Sequence, residues 1–310
     1  MTTTPIQDTA PLVSVVIPVR NRPDELPVAV RSVLEQGLPV EVVIVDDAST
    51  DHTPAVAQAM AAADARIRLV AFPDNRGGGH ARNAGIDAAT APWLAFLDSD
   101  DIWLPGKLQA QLAQLQALGP QARAMAFSNL VVDHADGSEP QPWNTLAYAQ
   151  GMGARRYLLE LHQVIQTSTL LMPTALARQI RFDGTLRRHQ DLDFVLRAES
   201  EGVSFCYLDR SLVRYSADPQ AVRVSKRVNA QPSLVWLERA RAYLTPREIG
   251  LFYLRHVYDV ELQQAPWVAR RRAWQAMRAG ATSPGALLLR SLKLMLPPAL
   301  KSRLKAWRHG

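Results

Sequence analysis

The chain has 310 residues, of which 47% are hydrophobic and 21% are charged, and its formal net charge is +6. This composition is close to the globular average and excludes a disordered or fibrous chain, while the single cysteine, Cys206, excludes a disulfide framework and a cysteine-built zinc site. The first eleven residues lack the pattern of a secretory signal, and no apolar run reaches the roughly 18 residues of a spanning helix. We therefore expect a cytoplasmic protein.

The first hundred residues alternate between apolar runs and helical patterns. We predict strands at 13–19, 40–45, 67–72 and 93–97, and helices at 24–37, 53–63 and 79–89. Because strands and helices alternate and the strands are almost continuously apolar, the pattern indicates an α/β fold with a parallel sheet covered on both faces. Ligands of such sheets bind beyond the carboxyl ends of the strands.

The second half of the chain is less regular. We predict a helix at 108–118, strands at 124–132, 203–208 and 212–215, a polar loop at 133–144, an apolar run at 164–172 and a helix at 191–200. Beyond about residue 220 the pattern predicts helices at 233–243, 246–264 and 266–279 and from 284 onward. We therefore predict two domains, residues 1–225 and 226–310.

Three carboxylates, Asp98, Asp100 and Asp101, directly follow the fourth predicted strand. Like charges this close raise one another's pKa unless a cation or hydrogen-bond donors compensate. Carboxylate oxygens without His or Cys favour Mg²⁺ or Mn²⁺, so Asp98 and Asp100 are candidate metal ligands. The alternative is an acidic turn in which Asp101 caps the next helix.

Two other polar segments follow predicted strands on the same edge. A carboxylate in segment 46–51, such as Asp47, can accept a hydrogen bond from a nucleobase N–H or a ribose hydroxyl, although a solvated loop that caps a helix is the alternative. Segment 75–83 has three glycines before a helix N-terminus and Arg82 on the first turn, which suits a phosphate. It matches neither the P-loop nor the dinucleotide-binding pattern.

Four of these segments together resemble the motifs of family 2 glycosyltransferases in order and spacing. They are residues 13–21 (VSVVIPVRN), 41–51 (EVVIVDDASTD), 81–85 (ARNAG) and 95–103 (AFLDSDDIW), and the resemblance extends over about residues 12–225. It implies a GT-A fold, with a mostly parallel central sheet and helices on both faces. It also implies inverting transfer of a sugar from a nucleotide-sugar donor.

The resemblance assigns roles to single residues. It implies that the nucleotide contacts Pro18, Arg20, Asn21, Asp47, Arg82 and Asp98. Asp98 and Asp100 would form the D-x-D pair that binds Mn²⁺ or Mg²⁺, with Asp100 in direct contact. The metal would offset the charge that develops on the departing nucleoside diphosphate.

A second-half family pattern is similar to residues 189–197 (HQDLDFVLR), so Asp191 would be the general base. Gln190 stands where the family commonly has Glu. The alternative is that Asp191 caps a helix and Asp193 is a surface charge. Further along, Asp218 stands near a position where relatives often carry His, and Asp218 and Arg223 are possible contacts of the diphosphate or the metal.

Residues 262–310 carry ten basic residues and no acidic residue, which leaves residues 1–261 with a net charge of about −4. Leu300, Leu304 and Trp307 share one predicted helical face and the neighbouring basic residues another, a pattern typical of a helix that lies on an anionic membrane. The alternative is a helical appendage that packs on the catalytic domain or on a second subunit. We do not expect nucleic-acid binding, because the body is acidic and contains no recognised nucleic-acid module.

These observations predict a metal-dependent inverting glycosyltransferase of the hexosyltransferase type. The expected donor is a UDP-sugar, and the expected acceptor is a hydroxyl of a saccharide or lipid-linked saccharide in cell-surface polysaccharide or lipopolysaccharide synthesis. The enzyme would be peripheral on the inner face of the membrane. Two alternatives are a sugar-phosphate nucleotidyltransferase, which needs a glycine-rich loop that residues 18–21 lack, and a non-catalytic nucleotide-sugar-binding protein.

Overall fold

The computed structural model describes residues 10–119, 122–133, 139–149, 151–216 and 229–295. The chain divides into two compact units, Met1–Val224 and Ser225–Gly310.

The first unit opens with alternating strands and helices. These are β1 (Val13–Val19), α1 (Glu25–Leu34), β2 (Val40–Asp46), α2 (Thr53–Ala63), β3 (Ile67–Ala71), α3 (Gly78–Ala88) and β4 (Trp93–Phe96). The four strands pair in parallel in the order β3-β2-β1-β4. The predicted parallel sheet is therefore confirmed in this half, and each strand ends within one residue of the predicted position.

Helices cover both faces of this sheet because successive side chains of a strand point to opposite sides. Val15 and Ile17 of β1 belong to one buried cluster together with Val30 of α1. Val16 points to the other face, where α3 packs so closely that a Cβ added to Gly85 would lie 2.1 Å from Val16 Cγ1. Only glycine permits this approach of helix to strand.

The second half of the unit completes the sheet. It contains β5 (Asp101–Trp103), α4 (Lys107–Ala117), β6 (Ala124–Asp133), β7 (Gln141–Pro142), β8 (Leu171–Pro173), α5 (Thr174–Ile180), α6 (Gln190–Ser200) and β9 (Ser204–Ser216), with short helical turns at Arg156–Glu160 and Thr167–Thr169. The strand order continues as β4-β8-β6-β9-β5, with β7 beside β6. Here β8 is antiparallel to β4 and β6, and β5 is antiparallel to β9, so the sheet is mixed.

Three expectations for this half are corrected. The two predicted strands at 203–208 and 212–215 are one strand, β9, which bulges where Ser128 of β6 pairs with Leu208 and Asn129 pairs with Ser211. The polar residues between these partners interrupt the apolar pattern but not the strand. The predicted polar loop contains the short strand β7, and β5 follows the carboxylate cluster, where no strand was predicted.

The second unit is helical, as predicted. Its described helices are α7 (Gln231–Ala240), α8 (Pro246–His256), α9 (Tyr258–Gln264), α10 (Pro266–Arg278) and α11 (Pro284–Met295). One predicted helix, 246–264, is broken at Val257, whose φ of −122° is not helical. Trp236 packs on Phe252 with ring centroids 4.3 Å apart. No helix among the described residues is long and apolar enough to cross a membrane, and the predicted face of Leu300, Leu304 and Trp307 lies outside the described residues.

Candidate active site

Three loops at the carboxyl edge of the sheet form the candidate active site. Strands β2, β1 and β4 are neighbours and run in parallel, so the loops that follow them meet at one edge. Asn21, after β1, donates its backbone N–H to Ser49 Oγ at 3.0 Å and accepts the N–H of Thr50 on its side-chain oxygen at 2.9 Å. These bonds join the β1 loop to the β2 loop. Pro18 is half-buried at the end of β1, and Arg20 beyond it is exposed.

Asp47 is buried, and its carboxylate holds the loop that precedes α3. It accepts hydrogen bonds from Asn75 Nδ2 at 2.5 Å, from the N–H of Arg76 at 2.7 Å and from the N–H of Gly77 at 2.8 Å. The sequence alone does not predict that the carboxylate oxygens of Asp47 accept hydrogen bonds from this loop. Contact between Asp47 and a nucleobase stays a prediction.

The glycines of this loop admit two guanidinium groups beside the N-terminus of α3. Gly77 has a φ of +92°, and a Cβ there would lie 2.8 Å from Arg187 Nη1. A Cβ on Gly78 would lie 2.9 Å from Arg82 Nη1. Free N–H groups, the helix dipole and two nearby cations make this a favourable environment for a diphosphate. Sequence reasoning named Arg82 and missed Arg187, which is distant in sequence.

Arg82 links the candidate metal carboxylate to the segment that carries the candidate base. Its Nη2 donates to Asp98 Oδ1 at 2.5 Å, and its Nη1 donates to Gln190 Oε1 at 2.9 Å. The guanidinium also lies 5.4 Å from the ring centroid of Phe182. Its buried Nε has no hydrogen-bond partner among the described residues. The residue expected to face phosphate thus also bridges Asp98 and Gln190, the residue before Asp191.

Asp98 and Asp101 share donors from the turn at 166–169. Gln166 Nε2 donates to Asp98 Oδ2 at 3.1 Å and to Asp101 Oδ2 at 2.9 Å. Ser168 accepts the N–H of Asp98 on its hydroxyl at 3.0 Å, and that hydroxyl donates to Asp101 Oδ2 at 2.7 Å. Sequence reasoning missed both residues. The only signal was a set of polar side chains inside an otherwise apolar run.

The prediction that Asp101 caps a helix is wrong. Asp101 is the first residue of β5 and is almost completely buried, whereas α4 begins six residues later at Lys107, after Gly106 with a φ of +80°. Burial, reinforced by the nearby charges of Asp98 and Asp100, raises the pKa of Asp101 well above its usual range. Through its hydrogen bonds from Gln166 and Ser168, the Asp101 side chain holds the turn at 166–169 next to the Asp98 loop.

Asp100 is partly exposed, as Asp98 is: 24% of the Asp100 side chain is accessible, against 29% of the Asp98 side chain. Asp100 Oδ2 lies 3.8 Å from Arg22 Nη2, and Asp100 borders a cleft of about 290 Å³ that is also lined by Glu25 and Arg214. Among the described residues, no group of three or more His, Cys, Asp or Glu side chains is arranged to hold a metal ion. Two carboxylates fit a Mg²⁺ or Mn²⁺ ion that completes its coordination with phosphate oxygens of a substrate. The residues therefore fit a metal that binds together with the nucleotide.

Asp191 is the second residue of α6 and is partly buried. Burial raises the pKa of its carboxyl group, and the nearby positive charge of Arg82 lowers it by a smaller amount. A raised pKa makes the ionised carboxylate a stronger proton acceptor. Asp193 has a different role, because it is buried and accepts a hydrogen bond from Arg197 Nε at 2.7 Å. It is not the surface charge of the alternative interpretation.

Two predicted site residues, Asp218 and Arg223, lie outside the described residues.

Comparison with known proteins decides the family. The family model described as glycosyl transferase family 2 matches residues 14–158. The amylovoran biosynthesis glycosyltransferase AmsB of Erwinia amylovora is 32% identical over 255 residues, which are 81% of this chain and 83% of AmsB. The chain belongs to glycosyltransferase family 2.

Two solved structures share its fold. This glycosyltransferase aligns with residues 1–349 of S. aureus TarS in complex with UDP-GlcNAc over 86% of its own length and 79% of that fragment, with 19% identity and a TM-score of 0.57. Alignment with the mannosyltransferase PcManGT from Pyrobaculum calidifontis, in complex with GDP-Man and Mn²⁺, covers 95% of this chain and 83% of PcManGT, with 19% identity and a TM-score of 0.58. The expected GT-A fold is therefore confirmed.

Proposed function

We propose that this glycosyltransferase transfers a hexose from a UDP-sugar, with inversion, to a hydroxyl of a saccharide or lipid-linked acceptor in cell-surface polysaccharide synthesis. The observation that carries the proposal is the pair of hydrogen bonds from Arg82 to Asp98 and to Gln190, the residue before Asp191. Arg82 thus brings together the three groups that transfer requires: Asp98 as a candidate metal ligand, its own guanidinium for the phosphate, and Asp191 as the candidate base. The name of AmsB, a biosynthetic enzyme of the polysaccharide amylovoran, supports the class of product.

The donor would lie along the carboxyl edge of β2, β1 and β4. Its base would contact Pro18, Arg20, Asn21 and the region held by Asp47. Its diphosphate would lie against the glycine loop before α3, where Arg82 and Arg187 approach. The UDP-GlcNAc bound to TarS supports a uridine nucleotide.

Asp98 and Asp100 would hold Mn²⁺ or Mg²⁺ together with diphosphate oxygens, and such an ion would offset negative charge on the leaving nucleoside diphosphate. Arg82 already donates to one oxygen of Asp98, and Asp100 would make the direct contact with the ion. Asp218 and Arg223 would add contacts to the diphosphate or the metal. The Mn²⁺ in PcManGT supports this choice of ion.

The carboxylate of Asp191 would accept the proton of the acceptor hydroxyl as that oxygen attacks the anomeric carbon. The new carbon–oxygen bond forms while the bond to the diphosphate breaks, so a single displacement inverts the anomeric configuration. The raised pKa of Asp191 supports the role, because it strengthens the base at the moment of attack. Gln190, held by Arg82, would fix the start of α6 and hence the position of Asp191.

The test is a transfer assay with a panel of UDP-, GDP- and dTDP-sugars, with Mn²⁺ or Mg²⁺ and then with excess chelator. Asp191→Asn should lower kcat at least hundredfold, which is the typical contribution of a general base, while the donor still binds. Asp209→Asn, a matched change at an exposed carboxylate of β9, should leave transfer unchanged. Retained activity of Asp191→Asn, or a product with retained anomeric configuration by NMR, would contradict the assignment.

The nucleotidyltransferase alternative is set aside because the chain belongs to a glycosyltransferase family and because β1 leads directly into Arg20 and Asn21 without a glycine-rich loop. The non-catalytic alternative predicts that the donor binds but that no sugar is transferred, and the donor panel tests it directly.

We also propose that the two units divide the work. Residues 1–225 would carry out transfer, and residues 226–310 would hold the enzyme at the cytoplasmic face of a membrane, where lipid-linked acceptors reside. The ten basic residues of 262–310, without an acidic one, support this part of the proposal.

A further inference from the structure

Helix α10 carries two exposed tryptophans on one face. Trp267 is 79% exposed and Trp274 is 51% exposed. Together with Arg270, Arg271 and Arg278 they follow a spacing of three and four residues, which puts all five on the same side of a helix. We call these five residues the Trp–Arg face.

Within the described residues 229–295, the Trp–Arg face is exposed and the opposite side of α10 is packed. Helix α10 buries the opposite side, which consists of Ala269, Ala273 and Ala276. Ala276 lies against α8, where a Cβ on Gly250 would be 2.9 Å from Ala276 Cβ. Large exposed apolar side chains that internal packing does not require are typical of interaction surfaces.

Each tryptophan is paired with an arginine of the same face. The guanidinium of Arg270 lies 5.2 Å from the ring centroid of Trp267, and that of Arg278 lies 4.8 Å from the ring of Trp274. The face is therefore a set of flat apolar rings with positive charge beside them. Indole rings favour the boundary between lipid headgroups and acyl chains, and arginines favour anionic headgroups.

The charge of the surrounding sequence favours an anionic occupant. Residues 262–310 contain no Asp or Glu. If the face packed against its own copy, the three arginines would meet three arginines with no carboxylate from this segment between them. Two further apolar side chains, Leu288 and Leu289 of α11, are 62% and 54% exposed in the same unit.

We propose that the Trp–Arg face of α10 is the surface on which this enzyme lies on an anionic lipid bilayer. The proposal rests on the proposed membrane-bound acceptor and gives that attachment a location. The location differs from the sequence prediction, which put the contact at Leu300, Leu304 and Trp307. The tryptophans would insert at the headgroup boundary, and Arg270, Arg271 and Arg278 would contact lipid phosphates.

The test is co-sedimentation of the full chain with vesicles of phosphatidylcholine, with or without phosphatidylglycerol. The wild type should bind the anionic vesicles and bind less as salt is raised. Trp267→Ser combined with Trp274→Ser should weaken partitioning at least about tenfold, because both interfacial anchors are lost. Arg270→Gln combined with Arg271→Gln should weaken it about fivefold for each charge removed.

The matched control, called the α7 control, is Arg239→Gln combined with Arg241→Gln, which removes the same charge from two exposed positions at the C-terminal end of α7. It should bind as the wild type does. Circular dichroism and the thermal midpoint should be the same for all variants, because the changed side chains are exposed. Transfer to a water-soluble acceptor should also be unchanged, so a failure of vesicle binding can be told apart from a failure of the proposed transfer.

Four results would overturn the proposal. The first is that the Trp and Arg variants bind vesicles as well as the wild type does, and the second is that the α7 control loses as much binding as the Arg variant. The third is that the wild type binds neutral and anionic vesicles equally, and the fourth is that the wild type does not bind vesicles at all. In the last case, sedimentation velocity tests the other occupant. A dimer that the Trp variants dissociate would identify a second copy of the chain.

Discussion

Arg82 is the residue on which the geometry of the site depends most. It is nearly buried, and its two terminal nitrogens donate to Asp98 and Gln190, which lie 92 positions apart. Only a planar guanidinium can present two donors in this fixed arrangement, whereas the ammonium of lysine is a single point charge. Arg82 therefore combines positive charge with a structural function that lysine cannot supply.

We predict that Arg82→Lys lowers kcat/KM about tenfold to hundredfold, the cost of losing one hydrogen bond to a charged group. The charge remains, so the loss measures geometry. Arg181→Lys is the control, because the pair of Arg181 with Asp87 is exposed and contributes little. Steady-state kinetics with varied donor would measure both variants. Wild-type kcat/KM in Arg82→Lys would show that the link between Asp98 and Gln190 is dispensable.

Lys107 is fully buried, which is unusual for a lysine. Its Nζ donates to Gln111 Oε1 at 2.7 Å and lies 4.0 Å from the ring centroid of Trp103. Burial holds the pKa of Lys107 well below its usual value. The unfolded chain therefore binds a proton, at pH values between the lowered and the usual pKa, that the folded chain does not bind.

It follows that the free energy of unfolding should rise with pH through this window. We predict that urea denaturation of the wild type shows a free energy of unfolding that increases as the pH rises toward the unfolded lysine pKa of about 10.4. Lys107→Met should lack this part of the increase, and Lys107→Gln provides a second variant if Met does not fold. Parallel pH curves for the wild type and both variants would show that the amine stays charged when buried.

Single residues also show what the sequence could predict about the site. Asp98, Asp100 and Asp191 stand in local motifs, so their candidacy needed no structure. Gln166 and Ser168 could not be found in this way, because they meet Asp98 and Asp101 only through a turn that is distant in sequence. Asp101 was assigned to a helix cap because a capping residue and a buried carboxylate look alike in sequence.

At the level of elements, the contact between α3 and β1 determines where the glycine loop and Arg82 lie. Gly85 on α3 faces Val16, and no side chain fits between them. Alanine is the better helix former by about 1 kcal/mol, but a Cβ 2.1 Å from Val16 Cγ1 requires the helix or the strand to move. Overpacking of this kind costs about 1 to 3 kcal/mol, so the steric term should prevail.

We therefore predict that Gly85→Ala lowers the free energy of unfolding by up to about 2 kcal/mol, the steric cost less the gain in helix propensity. Gly285→Ala is the matched control, because nothing lies within 4 Å of the Cβ that it adds to α11. It should have a neutral or slightly stabilising effect. Urea denaturation would measure both variants. A stabilised Gly85→Ala would mean that the helix gains more from alanine than the contact loses.

The strands differ in how well the sequence predicts them, because some are marked by their own apolar residues and others depend on pairing with a distant strand. Strands β1, β2 and β4 are buried on both sides in a parallel sheet, so continuous apolar runs mark them. Strand β5 has three residues and begins with Asp101, and its place is decided by antiparallel pairing with β9. Strand β9 contains a polar bulge opposite Ser128 and Asn129, which a pattern of apolar runs interprets as a break.

For the whole molecule, the sequence shows that the excess of basic residues lies in residues 262–310, but it does not show which of these residues form an exposed surface. Residues 301–308 carry four basic residues in eight positions and α10 carries four in thirteen, so composition alone favours the last predicted helix. The structure adds exposure, which separates the buried alanine side of α10 from its tryptophan side. The assignment of transfer to residues 1–225 and of membrane binding to residues 226–310 stays a prediction.

The last prediction concerns cooperation between metal and nucleotide. Because the described residues offer two carboxylates and no larger ligand group, Mn²⁺ alone should bind weakly. UDP and Mn²⁺ together should bind more tightly than either one, because phosphate oxygens complete the coordination. At a hundred times the Kd, binding adds about 2.7 kcal/mol to the stability of the folded state, or a rise in Tm of about 5 to 10 °C.

A thermal shift assay with UDP, Mn²⁺ and both together would measure this effect. Asp100→Asn should abolish the extra shift of the combination and keep the smaller shift by UDP alone, because it removes one carboxylate of the D-x-D pair and leaves Arg82 in place. Asp74→Asn, at an exposed carboxylate of the loop before α3, should behave as the wild type. If Mn²⁺ alone produced the full shift, the ion would have a site formed by the protein itself. If Asp100→Asn kept the full shift, the ion would bind without Asp100, and the role of the D-x-D pair would have to be reassigned.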